Sequence, residues 1–290
     1  MPNALVRCVL VLCLTLVPLA GGAELIYPGD PKPAPIRIGI TPVFLDNQTG
    51  FLDRWRTYLE ARLQRPVQFS QRSTYRQIIE LMLSDKLDFA WICGYPFQQF
   101  RPHLELVAVP LYQGEPYYQS LLIVPSSDLE TRHIRDLKGR IFAYADPDSN
   151  SGYLVPQAAI EALGEDRDTF FRKSFFTWAH AKVVQAVADG LANGGAVDGY
   201  VWETLARIEP ELTRRTRVVS RSQRFGFPPI VVRKDVADSD RLALRAALVD
   251  MHLDAEGRGL LAELNLDGFS VQDPAIFDDI KKLMMQIGAP

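Results

Sequence analysis

Apolar residues in this chain recur at two spacings, and the switches between them predict the elements. Ile36-Arg-Ile-Gly-Ile-Thr41 is a short, nearly continuous apolar run closed by Pro42, as expected of a buried strand. Phe51, Leu52, Trp55, Leu59 and Leu63 then follow helical spacing, and Val67–Ser70 returns to strand character. Tyr75–Leu83 predicts a helix with Ser73 or Thr74 as its N-cap. Leu87–Ile92 and Leu104–Leu111 predict strands, and Tyr117–Val124 is a long β-rich run. The pattern then restarts, with Arg140–Tyr144 as strand, Gly152–Ala162 as helix, Ser174–Thr177 as strand, Ala181–Leu191 as helix and Gly195–Val201 as strand. A last β run, Pro229–Arg233, precedes helices over Asp240–Leu253, Ala255–Leu264 and Phe277–Met285.

Strands alternating with helices argue an α/β class. Two βαβ blocks of similar size, joined by two long β runs, predict two lobes. The crossings are expected near 120–126 and 222–231. That assigns residues 36–123 and 226–290 to the first lobe and 124–225 to the second, with a cleft between them. Strand C-termini and helix N-termini face such a cleft, where α/β sheets bind ligands.

The N-terminus adds a destination. Arg7 is the only charge before Glu24, and a run of Cys, Val and Leu from Cys8 to Val17 separates it from the small residues Gly21, Gly22 and Ala23. This reads as a secretory signal peptide over 1–23, cleaved after Ala23, followed by a proline-rich tether over 24–35. The apolar stretch is short for a membrane anchor, the alternative reading. Cys8 and Cys13 lie within it, so Cys93 is the one cysteine of the exported chain and no internal disulfide is expected. The formal net charge of −3 gives no reason to expect nucleic acid or an anionic membrane as partner. His103, His133, His180 and His252 are scattered. No zinc spacing, Walker loop or GxGxxG is present, so neither metal nor cofactor is expected. The protein is expected to be a monomer.

The segment richest in chemistry is ADPDSNSGYLVP, residues 145–156, between a predicted strand and a predicted helix. Ser149, Asn150 and Ser151 fall at the first turn, and Gly152 permits close backbone approach. A helix start presents unpaired N–H groups and partial positive charge, so such a turn can cage an anion without Lys or Arg. The plain alternative is an ordinary Ser or Asp N-cap. Three polar side chains plus Gly at one helix start favour the cage.

This segment resembles the D-P-x-S-x-S-G-[YF]-L-V-P motif of the phosphonate- and phosphate-binding family of periplasmic receptors. Four further segments extend the resemblance in order along the chain. They are Leu87-Asp-Phe-Ala-Trp91, His180 with Ala186-Val-Ala-Asp-Gly190, Gly195-Ala-Val-Asp198, and Pro229-Ile-Val-Val-Arg233. The similarity covers roughly residues 36 to 285. It implies a two-lobed α/β fold of the type II periplasmic binding class. It also implies that Ser149, Asn150, Ser151 and Gly152 hold an oxyanion and that His180 donates to it. Without the resemblance, His180 is a helix-start residue that caps or packs.

Where relatives that take aminoalkyl phosphonates carry acidic residues, Tyr200 and Pro228 stand here, and neither neutralises an amine. Asp198 and Glu203 are the alternative amine partners. Ile92-Cys93-Gly94-Tyr95 replaces the aromatic expected after Ala-Trp, so Tyr95 is a candidate phenol from a shifted position, beside Cys93. Thr41, Pro42 and Phe44 are candidate walls of the cleft, and Tyr144 points to it. Trp91, Trp178 and Trp202 read as core.

The expected function is that of a periplasmic solute-binding protein. It would deliver a phosphonate, phosphite or phosphate to an ABC importer by closing its lobes around the anion and docking on the permease. The alternative is a receptor acting in trans on a histidine kinase. No nucleophile–base pair recommends an enzyme.

Overall fold

The structure, a computed structural model, describes residues 34–41 and 49–289. The predicted leader, most of the tether, and Pro42 and Phe44 lie outside the described residues.

Eleven strands form two sheets among these residues. The first sheet holds β1 (Ile36–Ile40), β2 (Val67–Gln71), β3 (Phe89–Trp91), β4 (Leu104–Leu111), β10 (Ile230–Arg233) and β11 (Gly268–Ser270), in the order β11-β4-β10-β3-β1-β2. The second holds β5 (Tyr117–Pro125), β6 (Ile141–Tyr144), β7 (Lys173–Phe176), β8 (Gly194–Asp198) and β9 (Thr216–Gly226), in the order β7-β6-β8-β5-β9. β1 runs parallel to β2 and β3, and β6 runs parallel to β7 and β8. β10 is antiparallel to β3 and β4, and β5 is antiparallel to β8 and β9.

Helices α1 (Thr49–Leu63), α2 (Tyr75–Leu83), α3 (Gly94–Gln99), α8 (Asp238–Val249) and α9 (Ala255–Glu263) accompany the strands of the first sheet. Helices α4 (Val155–Glu161), α5 (His180–Ala188), α6 (Gly199–Ile208) and α7 (Pro210–Thr213) accompany those of the second, and α10 (Asp278–Gln286) closes the chain. α2 shows why local signals suffice for such elements. Thr74 accepts from the Gln77 N–H at 3.3 Å, and Tyr75, Ile78, Ile79 and Met82 bury one face. That face meets β1 at Gly39, where a Cβ would stand 2.7 Å from Leu87 Cδ1 and 2.9 Å from Ile78 Cγ2. Only glycine lets the helix pack this closely.

Three features differ from the sequence expectation. β5 pairs along its whole length with β8 and β9, so the first crossing is the 112–116 link and not 120–126. Residues 117–123 therefore belong with the second sheet. The return crossing lies in 227–229, between β9 and β10. The strand expected through Val201 ends at Asp198, whose carboxylate accepts from the Tyr200 N–H at 2.9 Å and starts α6. An Asp at a strand end with free backbone N–H groups ahead of it is a helix cap, and that local bond overrides the apolar run.

One apolar core runs through both sheets, from Ile38, Phe89 and Trp91 through Tyr118, Tyr200 and Phe227 to Val183 and Val197. A smaller cluster of Phe142, Tyr144, Phe170 and Phe171 backs the second sheet. The crossing strands are bound into the core by edge-on aromatic pairs. Tyr112–Tyr200 and Tyr200–Phe227 have centroids 5.1 and 5.0 Å apart.

Candidate functional site

The 145–156 segment folds as expected up to Ser149 and then departs from a simple α-helix. Asn150–Leu154 forms a single wide π-helical turn before α4. Its i→i+5 bonds run from the Leu154 N–H to Ser149 O and from the Val155 N–H to Asn150 O, and Pro156 follows them. Having no N–H, it donates neither to Gly152 O nor to Ser151 O. Gly152 O instead accepts from Ala145 N, and Ser151 O from Ser120 Oγ at 2.6 Å. Both carbonyls are satisfied from outside the helix, and the turn opens to the i→i+5 pattern. Ser149 caps it, its Oγ accepting from the Gly152 N–H at 3.0 Å. A Cβ on Gly152 would meet Ala145 Cβ at 2.4 Å, with His180 Cε1 and Ser149 Oγ at 3.0 Å, so this glycine is demanded by close approach.

The turn is buried where the elements of the two sheets meet. Ser149, Asn150 and Ser151 are at most 1% exposed. From the first-sheet side, Cys93 Sγ accepts from the Asn150 N–H at 3.2 Å. From β5, the Tyr118 hydroxyl accepts from Asn150 Nδ2 at 3.0 Å. Behind the turn, His180 Nε2 lies 3.3 Å from Ser149 Oγ. His180 Nδ1 accepts from the Asp198 N–H at 3.0 Å, which puts the ring proton on Nε2, facing Ser149. Two side-chain atoms at the centre, Ser151 Oγ and Asn150 Oδ1, are buried without a hydrogen-bond partner. Buried polar atoms are rarely left in that state.

The loop leading into the turn reaches the first sheet. Asp146 accepts from the Tyr75 N–H at the start of α2 at 3.1 Å and from the Asp148 N–H at 2.8 Å. Asp148 pairs with Arg76 at 2.6 Å. Negative charge at a helix start is favourable, so these two carboxylates bind the loop to α2.

Burial sets the protonation of the cluster. It pushes the Asp198 carboxyl up to about 7 and the Asp146 carboxyl up to about 6, the latter partly offset by the N–H groups of Asp148 and Tyr75. It pushes the His180 imidazole down to about 3, so the ring is neutral at neutral pH. The Cys93 thiol rises to about 11, and the Tyr75 and Tyr118 phenols rise well above their usual value. In each case loss of hydration disfavours the charged form.

The residues picked out in the sequence are sorted by this geometry. Ser149, Asn150, Ser151, Gly152, Cys93, His180 and Asp198 form one connected cluster. His180 stands on the same side as the serines, at the start of α5, and not across from them. Asp198 acts through its backbone N–H on His180, while its carboxylate caps α6. Tyr95 is buried at the edge, near Asp148, Tyr153 and Arg76. The Thr41 hydroxyl donates to the Trp91 carbonyl at 3.0 Å and so serves the β1–β3 pair. Tyr144 belongs to the core behind the second sheet, its hydroxyl accepting from Gln157 at 2.8 Å. Trp178 is 44% exposed, with φ +67°, and is not core.

Tyr200 and Pro228 are both used in packing. The Tyr200 phenol donates to the Leu264 carbonyl, and the Pro228 carbonyl accepts from Trp91 Nε1 at 2.9 Å. Glu203 pairs with Arg221 at 2.8 Å and accepts from the Tyr112 hydroxyl at 2.7 Å. Sequence reasoning missed Tyr75, Tyr118, Ser120 and Asp146. Tyr75 had one available signal, as the first residue of a helix following a strand that borders the expected cleft.

The model of the family of periplasmic substrate-binding proteins of phosphonate ABC transporters matches residues 38–276. The chain is 25% identical over 206 residues to the phosphonates-binding periplasmic protein of Escherichia coli (strain K12), covering 68% of this chain and 60% of that protein. It is 27% identical over 162 residues to the phosphate-import protein PhnD of Mycolicibacterium smegmatis, covering 51% of this chain and 50% of that protein. These alignments thus span about half to three-fifths of the relatives' length. The crystal structure of a binding-protein component of an ABC phosphonate transporter from Pseudomonas aeruginosa superposes with a TM-score of 0.79 at 25% identity, covering 87% of this chain and 86% of that one. The two-sheet α/β architecture is that of the type II periplasmic binding class.

Proposed function

The chain belongs to the phosphonate-type family of periplasmic substrate-binding proteins of ABC transporters, and we propose that it captures a small phosphorus oxyanion in the periplasm and hands it to an importer's permease. Phosphonate, phosphite and phosphate share the tetrahedral chemistry this reading requires. The observation that carries it is the pair of unpartnered polar atoms, Ser151 Oγ and Asn150 Oδ1, at the centre of a buried polar turn. A protein that left them unmatched in every state would bear the desolvation of both groups.

The anion enters when the lobes part. Parting breaks the Asn150–Cys93, Asp146–Tyr75 and Arg76–Asp148 links between the elements of the two sheets. Ser149, Asn150 and Ser151 offer hydroxyl, amide and backbone donors from the second lobe. Tyr75 and Cys93 approach from the first. Binding shifts the population toward the closed form, in which these groups share one ligand. His180 holds Ser149 and contributes no charge of its own. The N-terminal leader takes the chain to the periplasm, and the closed form is the one that docks.

A thermal-shift panel tests the assignment, with phosphite, phosphate, methylphosphonate and 2-aminoethylphosphonate beside citrate and nitrate. Ligand at about a hundred times its dissociation constant adds about 2.7 kcal/mol of stability, which gives a clear rise in midpoint. A rise confined to phosphorus oxyanions supports the reading. Stabilisation by none of them refutes it.

A further inference from the structure

We infer that the turn holds its oxyanion as a monoanion that keeps an O–H, with that O–H donating to Asn150 Oδ1 and Ser151 Oγ donating to an unprotonated oxygen of the same ligand. The inference rests on the reading of the site as an oxyanion site and specifies which species of the anion binds.

Asn150 places its Nδ2 on the Tyr118 hydroxyl at 3.0 Å and leaves Oδ1 buried without a donor. An amide oxygen only accepts, so a ligand made solely of acceptor oxygens leaves it orphaned. Turning the amide over would aim Oδ1 at Tyr118. The Tyr118 hydroxyl also neighbours Cys93, whose thiolate it stabilises. While its hydrogen points there, the reversed amide would set two acceptors face to face. The second orphan, Ser151 Oγ, has a hydrogen to give and suits a bare phosphorus–oxygen acceptor.

The groups facing the turn are Asp198 at the end of β8, His180 on α5, Asp146 and Asp148 before the turn, Tyr118 on β5, Tyr153 within the turn, and Tyr75, Arg76, Cys93 and Tyr95 from the first-sheet side. Glu203 stands behind Asp198. Arg76 is the cation of this set, and it is paired with Asp148. The His180 ring is neutral, with its single proton on Nε2. A dianion would therefore come beside the unpaired carboxyl groups of Asp146 and Asp198, with no unpaired cation among these residues. Proton retention by the ligand removes one charge and supplies the missing donor together.

The geometry thus favours hydrogen phosphite, hydrogen methylphosphonate and dihydrogen phosphate. It disfavours sulfate, which keeps no proton, and dimethyl phosphate, a monoanion with no O–H.

The test is isothermal titration of the full wild-type protein with phosphite, methylphosphonate and phosphate, each across its own second ionisation, with sulfate and dimethyl phosphate beside them. The expected result for phosphite and methylphosphonate is constant affinity below the second ionisation and about tenfold loss per pH unit above it, and for phosphate, whose dianion keeps an O–H, a shallower loss. The break should fall at a different pH for each ligand, and neither control should bind comparably. A break at one common pH for all three would assign it to a protein group and overturn the inference, as would sulfate binding as well as phosphite. Either result would leave the oxyanion site standing. No binding of any phosphorus oxyanion at any pH would instead remove the functional reading and this inference with it.

Discussion

The backbone N–H of Asn150 donates to Cys93 Sγ across 3.2 Å, joining the polar turn of the second sheet's half to the strand end of the first. Cys93 is 4% exposed, and burial holds its thiol up to about 11. Thiol reactivity follows thiolate content and access, so the packing around Cys93 protects it. Parting of the lobes, as proposed above, would expose it.

Alkylation at Cys93, followed by peptide mass spectrometry, therefore reports closure. Saturating ligand should slow labelling several-fold. A rate unchanged by ligand that binds would show that Cys93 does not sit at a moving junction.

Gly152 offers a steric test. Gly152→Ala puts a methyl group 2.4 Å from Ala145 Cβ and 3.0 Å from the His180 ring. Neither neighbour is a flexible chain end, so the turn must shift. Overpacking of this kind costs about 1–3 kcal/mol. Denaturant unfolding should show that loss, and ligand titration should show weakened binding. A variant as stable as wild type would mean the turn has slack that the packing denies.

Asp198 predicts a pH dependence. Its carboxyl is raised from 3.8 to about 7 by burial. A raised pKa gives stability that is fully present below the unfolded value and lost as pH climbs through the folded value. The loss therefore develops between 3.8 and about 7. Asp198→Asn keeps a good helix cap for α6 and removes the titration. Relative to wild type, the variant should gain stability as pH rises through that window, by a few kcal/mol at most. Urea unfolding at several pH values checks this. A difference constant with pH would contradict it.

The parts of this fold legible in the sequence are those governed by neighbours along the chain. Thr74 and the Tyr75–Ile78–Ile79–Met82 face define α2 locally, and the IRIGI run defines β1. The polar turn was legible because Ser149, Asn150, Ser151 and Gly152 are consecutive. What escaped depends on distant partners. The Gly195–Val201 run fits a strand throughout, and only the cap made by Asp198 ends it. β5 could pair with either half, and its register against β8 and β9 decides the matter. Tyr118 is one tyrosine in an apolar run until β5 places its hydroxyl on Asn150. Trp178 looked like core by composition, yet the loop between β7 and α5 turns it outward. The widening of the turn accompanies the bond from Ser120 Oγ to the Ser151 carbonyl, a partner thirty-one residues away.

The central claim is that the Ser149–Gly152 turn holds the anion, and the two serines separate that role from capping. Ser149 Oγ caps the turn and touches His180, so Ser149→Ala should cost about 0.5–2 kcal/mol of stability whatever the turn binds. Ser151 Oγ has no hydrogen bond of normal geometry within the protein and only the Tyr118 hydroxyl beside it, so its removal costs the fold little. The deciding measurement is calorimetric titration of Ser151→Ala with phosphite, phosphate and methylphosphonate, beside its unfolding midpoint without ligand. The account predicts an unchanged or slightly raised midpoint and affinity lower by about tenfold to a hundredfold, or about 1.5–3 kcal/mol, for the ligand that binds wild type. Wild-type affinity in Ser151→Ala would contradict it.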